Sequence, residues 1–273
     1  MSPSQPCTQK KEDIQNTTTT INIKASILPF VVLENGTIAL CLGKINHQFK
    51  WTASDHLYSD LGGRKNPTDR SVRHTASREF LEEGLGLIKL KPHNSSSRSP
   101  GSSFHDHSPR TVDKVIRFLD DKHYFAKVVT TKDVKNNKKI SVTTYLCEAE
   151  FDEGLSVKFK TKRNKLLSFI DKKVKTLHSK QLKWINEQPG LYVDSKTNRV
   201  KLKTCYNEME DLSYFSLDLV MYSCTHKAQY NRVATRLAFL HNCRLRFLKV
   251  LPALEKYQDY IKTITNHDKN TFS

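Results

Sequence analysis

The sequence lacks the features of secreted, disulfide-rich and membrane-spanning proteins. No apolar stretch follows its amino terminus, and none of its apolar runs approaches about 18 residues, so neither secretion nor membrane spanning is expected. The six cysteines form no CxxC pair, which argues against a zinc knuckle or a disulfide framework. We therefore expect a cytoplasmic protein with reduced thiols.

Apolar and acidic residues are also scarce. Hydrophobic residues make up 37% of the 273 residues, so part of the chain is expected to lie outside the core. The 45 Lys and Arg outnumber the 28 Asp and Glu, which gives a formal net charge of +17. The excess is concentrated in residues 158–183 and 225–250. This distribution favours a phosphate-bearing partner, and it fits the solvated faces of amphipathic helices equally well.

Composition divides the chain into one folded domain with elaborations. Residues 1–20 are polar and are predicted to be disordered, and the domain is predicted to span residues 21–266. Residues 91–112 are rich in Ser, Pro, Gly and His and are predicted to form a flexible insertion. Its His105-Asp106-His107 tripeptide is a candidate metal site, although a solvated loop is the favoured interpretation.

Alternating apolar residues predict two β-hairpins. Residues 22–33 and Thr37–Leu42 flank Asn35-Gly36, a dipeptide typical of a tight hairpin turn. His123–Thr131 and Ile140–Phe151 flank the turn-like Asn136-Asn137 in the same way. A further strand is predicted over residues 212–222.

Two basic helical regions are predicted as elaborations of the domain. Residues 158–187 form the first, with an amphipathic helix over Leu166–Ile185 that ends before Pro189-Gly190. Residues 226–266 form the second, with two helices broken at Pro252 because proline removes a helical hydrogen bond.

The chemically informative stretch runs from Asp60 to Leu87. Residues 68–84 have helical periodicity, with Val72, Ala76 and Phe80 on one apolar stripe. Ser71 is suited to cap the amino terminus of this helix. We therefore expect a helix with one buried face.

The acidic residues of this helix are its second notable feature. Glu79, Glu82 and Glu83 stand at positions i, i+3 and i+4, so a helix carries their carboxylates on one face. Such charges repel each other unless a cation lies between them, and carboxylate oxygens are ligands that Mg²⁺ and Mn²⁺ prefer. Arg78 is suited to hold Glu82 by a forked ion pair. The Gly62-Gly63 turn allows the backbone to approach a metal or ligand closely. A solvated acidic face is the alternative interpretation.

The same stretch resembles the signature of the Nudix hydrolases. In that signature a glycine, five residues, a glutamate and seven residues precede Arg-Glu-apolar-x-Glu-Glu-x-Gly. Gly63 matches the first glycine, and residues 78–83 match the Arg-Glu-apolar-x-Glu-Glu core. Three departures are present: Asp69 stands for the first glutamate, eight residues separate it from Arg78, and Leu85 stands for the last glycine. They put the role of Asp69 in doubt more than those of the three glutamates.

The resemblance implies a fold and an activity. The fold is an α/β/α sandwich with a mixed sheet, here with extra basic helices. The activity is a pyrophosphohydrolase in which Glu79, Glu82, Glu83 and the carbonyl of Gly63 hold Mg²⁺ or Mn²⁺, with Arg78 as a further catalytic residue.

Other candidate residues are supported less directly. Glu79 is the first candidate for the general base and Glu208 or Glu210 the second, although a solvated acidic turn explains each of the latter two as well. Trp51 and Tyr58 are candidates for stacking on a base, and core packing is an equal alternative.

The substrate stays open between capped RNA and small molecules. Decapping enzymes of viral and eukaryotic origin in this family combine a similar box with basic flanks, and here Lys172, Lys173, Lys175, Arg232 and Arg236 are placed to follow an RNA backbone. Dinucleoside polyphosphates, nucleotide sugars and inositol pyrophosphates are the alternatives. No membrane partner is expected, and no protein partner is indicated.

Two further classes of function compete with the enzyme. The first is a catalytically silent Nudix-like module that binds nucleic acid or protein, although silent relatives often lose one of the charged residues that are intact here. The second is an unrelated basic RNA-binding protein, which no stacked-aromatic RNA motif or zinc pattern supports.

Overall fold

The structure, a computed structural model, describes residues 20–46, 57–92, 111–134, 138–225, 238–239 and 241–271. The described residues form a mixed eight-stranded sheet and a separate two-stranded ribbon, with helices on both faces of the sheet. The predictions of disorder at residues 1–20 and of a flexible insertion at 91–112, with its His105-Asp106-His107 candidate, fall almost entirely outside these ranges.

Ten strands and six α-helices follow one another along the described chain. The strands are β1 (Thr20–Val32), β2 (Ile38–Ile45), β3 (Leu57–Ser59), β4 (Leu61–Arg64), β5 (Ala126–Val134), β6 (Lys138–Glu148), β7 (Leu191–Asp194), β8 (Arg199–Leu202), β9 (Met209–Ser216) and β10 (Ala238–Phe239). The helices are α1 (Val72–Glu83), α2 (Val112–Asp120), α3 (Leu155–Leu167), α4 (Ser179–Glu187), α5 (Leu217–Thr225) and α6 (His241–Thr271). Short 3-10 helices span Val174–Thr176 and Thr204–Asn207.

Strand β1 organises the sheet. It runs parallel to β6 and antiparallel to both β2 and β4, and the order of the main path is β10-β3-β2-β1-β6-β5. Strand β9 adds to β2 in antiparallel register, and β7 and β8 form the separate ribbon. Because β1 lies inside the sheet, both of its faces must be covered by apolar side chains.

The two faces of β1 contribute to two different cores. Ala25 and Ile27 pack with buried side chains of α1, α2 and α3, whereas Leu28 and Phe30 pack with those of α5 and α6. Alternate residues of a strand point to opposite faces, so one strand serves both layers. The predicted α/β/α arrangement with a mixed sheet is therefore confirmed.

The predicted hairpins and the acidic helix are present. β1 and β2 pair across the Asn35-Gly36 turn, and β5 and β6 form the second hairpin. Helix α1 lies within residues 68–84, and the Ser71 hydroxyl accepts a hydrogen bond of 3.1 Å from the His74 amide as the predicted cap. These elements form from local sequence signals that the tertiary structure does not oppose.

The continuous helix predicted over Leu166–Ile185 is wrong. Helix α3 ends at Leu167, and the backbone turns at Asp171, which has a positive φ of 62°. The Asp171 amide and the Lys172 carbonyl then bond to Val200 of β8, at 2.9 and 3.0 Å. These hydrogen bonds to the ribbon replace helical ones, while Leu166 and Ile185 still reach the same core from two separate helices.

Two other boundaries also differ from the prediction. The strand predicted over residues 212–222 ends at Ser216, where α5 begins. Helix α6 continues through Pro252 instead of breaking there. Leu251 and Leu254 are fully buried beside it, and their packing offsets the missing hydrogen bond, a loss of roughly 3 kcal/mol. Within the described ranges, no helix is both long and apolar enough to cross a membrane.

Candidate active site

Helix α1 is fixed on the sheet so that its acidic residues meet the loop that precedes it. Ala76 and Phe80 are buried on the apolar stripe that the sequence predicted. Strand β4 contains Gly62 and Gly63, and it pairs with β1 directly beneath the helix. Acidic side chains of α1 therefore lie directly against the backbone of Gly62 and Gly63.

The two glycines permit this close approach. A Cβ atom at Gly63 would lie 2.3 Å from Oε1 of Glu79, so only glycine leaves room for that carboxylate. The Gly62 amide donates a hydrogen bond of 2.6 Å to Oε2 of Glu83. Glu79 and Glu83 are both buried, with exposures of 7% and 3%. Two acidic side chains are thus buried next to each other against the backbone of β4.

Arg78 connects Glu79 and Glu82 on this face of the helix. Its Nη1 donates to Glu82 Oε2 at 2.9 Å, and its Nη2 lies 2.9 Å from Glu79 Oε1. Nη2 also donates to the carbonyl of Arg64, at 3.0 Å. A planar guanidinium with several donors is suited to such a multiple role.

Asp69 holds Arg78 and is itself surrounded by donors. Its two oxygens accept from Nε and Nη2 of Arg78 at 3.0 and 2.9 Å. It also accepts from the Asn66 amide and the Thr75 hydroxyl. Although burial acts in the opposite direction, these hydrogen bonds keep the pKa of Asp69 below its ordinary value. Asp69 is therefore a partner of the arginine, which explains how an aspartate fits at this position.

Burial is the main cause of a raised pKa at three further carboxylates, Glu79, Glu83 and Glu208. Burial raises the pKa of Glu79 to about 7, with Arg78 opposing the rise and Glu82 adding to it. Burial, followed by the charges of Glu79 and Glu208, raises the pKa of Glu83 well above its usual range. Glu208, just before β9, also has a raised pKa because of burial and the charge of Glu82. Four acids thus share one poorly solvated region.

This donor set fits a hard divalent cation in its chemistry. The acids are oxygen ligands whose mutual repulsion a cation would relieve, and Gly63 leaves its backbone beside Glu79. Across the described ranges, however, no three His, Cys, Asp or Glu side chains converge as a ready metal site. The physical reason is that Arg78 engages Glu79 and Glu82, while the Gly62 amide engages Glu83.

The other candidate residues lie in different places. Glu210 pairs with Lys44 of β2, with 2.5 Å between Nζ and Oε1. The Tyr58 ring packs against Phe215 with their centroids 4.8 Å apart, which fits the core alternative. Trp51, Arg232 and Arg236 are outside the described residues.

The three candidate lysines lie beside the ribbon. Lys172, Lys173 and Lys175 are all exposed, and the Nζ of Lys172 lies 4.9 Å from the centre of the Phe169 ring. Lys173 forms a β-bridge with Arg199 of β8. They therefore lie between α3 and α4, within the chain segment that the sequence predicted as a single helix.

Several residues near the carboxylates were not singled out from sequence. The side chain of Cys205 forms a hydrogen bond with Glu82, and Tyr206 follows Cys205 in the same short 3-10 helix. Asp60 is buried and pairs with Arg246, a residue 186 positions later on α6. The one local signal for Asp60 was its position two residues before Gly62, because its partner Arg246 is remote in sequence.

Comparisons with known proteins give structural likenesses only. A scan against protein-family models finds no match, and a search of curated proteins finds none either. An Ap4A hydrolase of C. elegans, solved as a binary complex, is 12% identical over 74% of this chain and 84% of that one, with a TM-score of 0.34. A NUDIX hydrolase of Alicyclobacillus acidocaldarius is 12% identical over 85% and 91%, with a TM-score of 0.37.

A third similar structure is a NUDIX hydrolase of Nitrosomonas europaea. It is 11% identical over 77% of this chain and 83% of that one, with a TM-score of 0.31. At such low identities and TM-scores, the likenesses decide nothing about the activity of this chain. The geometry around α1 has to support any functional conclusion.

Proposed function

We propose that this protein is a Mg²⁺- or Mn²⁺-dependent pyrophosphohydrolase of the Nudix type, acting on a diphosphate linkage in a nucleotide-type substrate. The observation that supports it is the placement of Glu79 and Glu83, two buried acids of α1, directly against the backbone of Gly62 and Gly63. Burying two carboxylates is costly for folding, and carboxylates with strongly shifted pKa values cluster at functional sites.

Each residue of the region has a role in this proposal. Glu79, Glu82, Glu83 and the Gly63 carbonyl would hold the metal, which would supply positive charge against the diphosphate and lower the pKa of an attacking water. Asp69 orients Arg78, and Arg78 keeps Glu79 and Glu82 in place on the helix face. Binding of a metal requires these two glutamates to exchange part of their contact with Arg78 for the cation.

The general base is proposed to be Glu79, with Glu208 as the alternative. Glu79 is buried beside Gly63, and burial raises its pKa to about 7 before any cation binds. An oxygen of Glu79 that does not contact the metal would be the one to accept a proton from the attacking water. Glu208 lies close enough to the same acids for its charge to raise the pKa of Glu79 and Glu83. Glu210 is less suited because it is already paired with Lys44.

Capped RNA and small nucleotides are both candidate substrates in this proposal. The exposure of Lys172, Lys173 and Lys175 supports an RNA interaction. The lysines of α3 support it less, because Lys158 pairs with Asp152 at 2.7 Å and Lys160 with Asp211 at 2.9 Å. Part of the basic charge is thus already compensated within the protein.

The test is a product-resolved panel in Mg²⁺ and in Mn²⁺. Capped RNA, a dinucleoside polyphosphate, a nucleotide sugar and an inositol pyrophosphate are each incubated with the full chain, and the products are identified by mass spectrometry. Cleavage between two phosphorus atoms in any of them supports the proposal. No cleavage of any of the four, by a protein shown to be folded, argues against it.

A catalytically silent binding module is the second candidate. It is favoured by one observation, namely that Arg78 already satisfies Glu79 and Glu82 without a metal. This candidate predicts nucleotide or RNA binding that is unchanged by chelation. Metal-dependent turnover in the panel would exclude it.

A further inference from the structure

Two cationic side chains lie side by side on strands β1 and β4. Lys24 and Arg64 are directly opposite each other in antiparallel register, so their side chains leave the strands on the same face. Neither side chain forms a hydrogen bond or an ion pair with any residue that the structure describes. Like charges placed in this way destabilise a pair of strands, and an anion between them would remove the repulsion.

The backbone that carries the two side chains is held in place. The Arg64 carbonyl accepts a hydrogen bond of 3.0 Å from Nη2 of Arg78. The amide of the next residue, Lys65, donates to the carbonyl of Ile23 at 2.9 Å. Opposite residues of such a pair have Cβ atoms about 4.5–5.5 Å apart, so two long side chains starting there are able to reach the same ligand.

The charges around Lys24 are positive on balance. Lys24 is half-buried, and burial is the main reason why its pKa lies below the ordinary value. The charge of Arg64 lowers this pKa further, followed by that of Arg246. Asp60 and Glu79 act in the opposite direction and more weakly. An anion at this place would therefore be attracted.

The two nearby acids are already engaged by other cations. Arg246 donates to Oδ1 of Asp60, and Nη2 of Arg78 lies 2.9 Å from Oε1 of Glu79. These contacts leave neither acid paired with Lys24. The counter-charge for Lys24 and Arg64 has to come from a ligand.

The chemistry of the pair suits a phosphate group. The ammonium of Lys24 is a compact charge with three donors, and the guanidinium of Arg64 is a planar fork that binds two oxygens at once. A phosphate group offers several oxygens to these donors and carries up to two negative charges, which matches the two cations. A carboxylate carries only one.

We infer that Lys24 and Arg64 form a binding site for a phosphate group, and that this site works without a metal ion. Glu79 lies close enough for its charge to act on Lys24, so the site borders the acids of α1. The phosphate has two possible sources, namely a ligand that also reaches those acids, or free orthophosphate. The inference goes beyond the proposed hydrolase function and does not require it.

The first experiment titrates the full chain with inorganic phosphate in EDTA at low salt, followed by phosphorus NMR. Chelation removes any cation that could bridge phosphate to the acids. The wild-type protein is expected to bind phosphate saturably. Lys24→Met and Arg64→Met are each expected to weaken this binding about tenfold, because each removes a charged hydrogen-bond donor.

The matched controls remove one exposed cation each at other places. They are Lys127→Met on β5 and Arg117→Met on α2, and both should keep the wild-type affinity. Lys24→Arg preserves the charge and should keep most of the binding, and circular dichroism checks the fold of every variant. Absence of saturable phosphate binding by the wild type overturns the inference without any variant. Equal affinity of the wild type and the two methionine variants at Lys24 and Arg64 also overturns it.

Competition in Mg²⁺ distinguishes the two sources of the phosphate. Methylenediphosphonate supplies two phosphorus groups for the acids, and its triphosphonate homologue supplies a third. Displacement of orthophosphate by the triphosphonate alone assigns the site to a phosphate of a larger ligand. Displacement by neither compound assigns it to free phosphate, and both results support the site.

The outcomes also separate this inference from the hydrolase proposal. Phosphate binding at Lys24 and Arg64 by a protein that hydrolyses none of the substrates in the panel supports the site and overturns the hydrolase. Hydrolysis by a protein that binds no phosphate in EDTA does the reverse.

Discussion

Arg78 donates to both carboxylate oxygens of Asp69, nine residues earlier in the chain, at 3.0 and 2.9 Å. Because the same guanidinium contacts Glu79 and Glu82, the geometry of the acidic face depends on an aspartate that lies outside it. The Nudix-like signature has a glutamate at the corresponding place. The shorter side chain fits here because Thr75 and the Asn66 amide bring further donors to it.

Replacing Asp69 should weaken folding and remove a pH dependence. Asp69→Asn is expected to lower the free energy of unfolding by about 1–3 kcal/mol, since a buried donor network loses its anionic acceptor. Because the pKa of Asp69 is lowered in the fold, its contribution is fully present above about pH 4 and is lost as pH falls further. Urea unfolding at a series of pH values should therefore show a smaller loss of stability below pH 4 in the variant. Asp113→Asn, at an exposed ion pair, is the control and should change stability by less than about 0.5 kcal/mol.

Removing one acid of α1 should abolish turnover and leave the fold intact. Glu82→Gln and Glu83→Gln are each expected to reduce kcat more than about 100-fold. Changing a residue that only hydrogen-bonds to a metal ligand typically costs about 10- to 100-fold, and these two residues are proposed to be ligands themselves. Circular dichroism and the unfolding midpoint check the fold. Glu255→Gln, an exposed residue of α6, should leave activity unchanged. Full activity in both α1 variants would disprove the metal assignment.

Chelation should stop the reaction reversibly. EDTA is expected to reduce hydrolysis to background, and excess Mg²⁺ or Mn²⁺ is expected to restore it, because the acids of the site supply only oxygen ligands. The measurement is the initial rate of product release before and after each addition. A rate that persists in EDTA would point to a different chemistry.

Breaking the pair between Asp60 and Arg246 should destabilise the protein strongly. Both side chains are nearly inaccessible to solvent, with exposures of 1% and 12%. Arg246→Ala would leave the Asp60 carboxylate buried without its charge partner, at a cost of about 3–5 kcal/mol in the free energy of unfolding. Lys201→Ala removes an exposed ion pair to Asp171 and is expected to cost less than about 1 kcal/mol. Equal effects of the two variants would contradict the importance given to the buried pair.

If RNA is a substrate, replacing Lys172, Lys173 and Lys175 by neutral residues should weaken RNA binding. A triple alanine variant is expected to lower the slope of log affinity against log salt by about 2, given roughly 0.7 per phosphate contact for a single strand. The control is the triple alanine variant of Lys114, Lys127 and Lys132, exposed residues of α2 and β5 outside both basic regions, which removes the same charge elsewhere. Unchanged RNA affinity in the first variant, measured by fluorescence anisotropy, would favour a small substrate.

Some errors of the sequence-based prediction have one physical origin. The apolar residues of Leu166–Ile185 recur with helical spacing, and both Leu166 and Ile185 do reach the core. The spacing cannot reveal that Asp171 and Lys172 find hydrogen-bond partners in Val200, nearly thirty residues later. Likewise, the proline rule at position 252 is overridden by the packing of Leu251 and Leu254 against the sheet.

The sequence by itself determined the elements whose signals are local. Asn35-Gly36 predicts a turn, Ser71 a cap, and the spacing of Glu79, Glu82 and Glu83 one acidic face, because turn geometry and helical periodicity act over a few residues. Only the tertiary structure decided which residues surround that face. Gly63 against Glu79, Arg246 against Asp60 and Tyr206 beside Glu82 are brought together by the packing of the sheet between its helices, and residues that meet only through such packing leave no periodic trace in the chain.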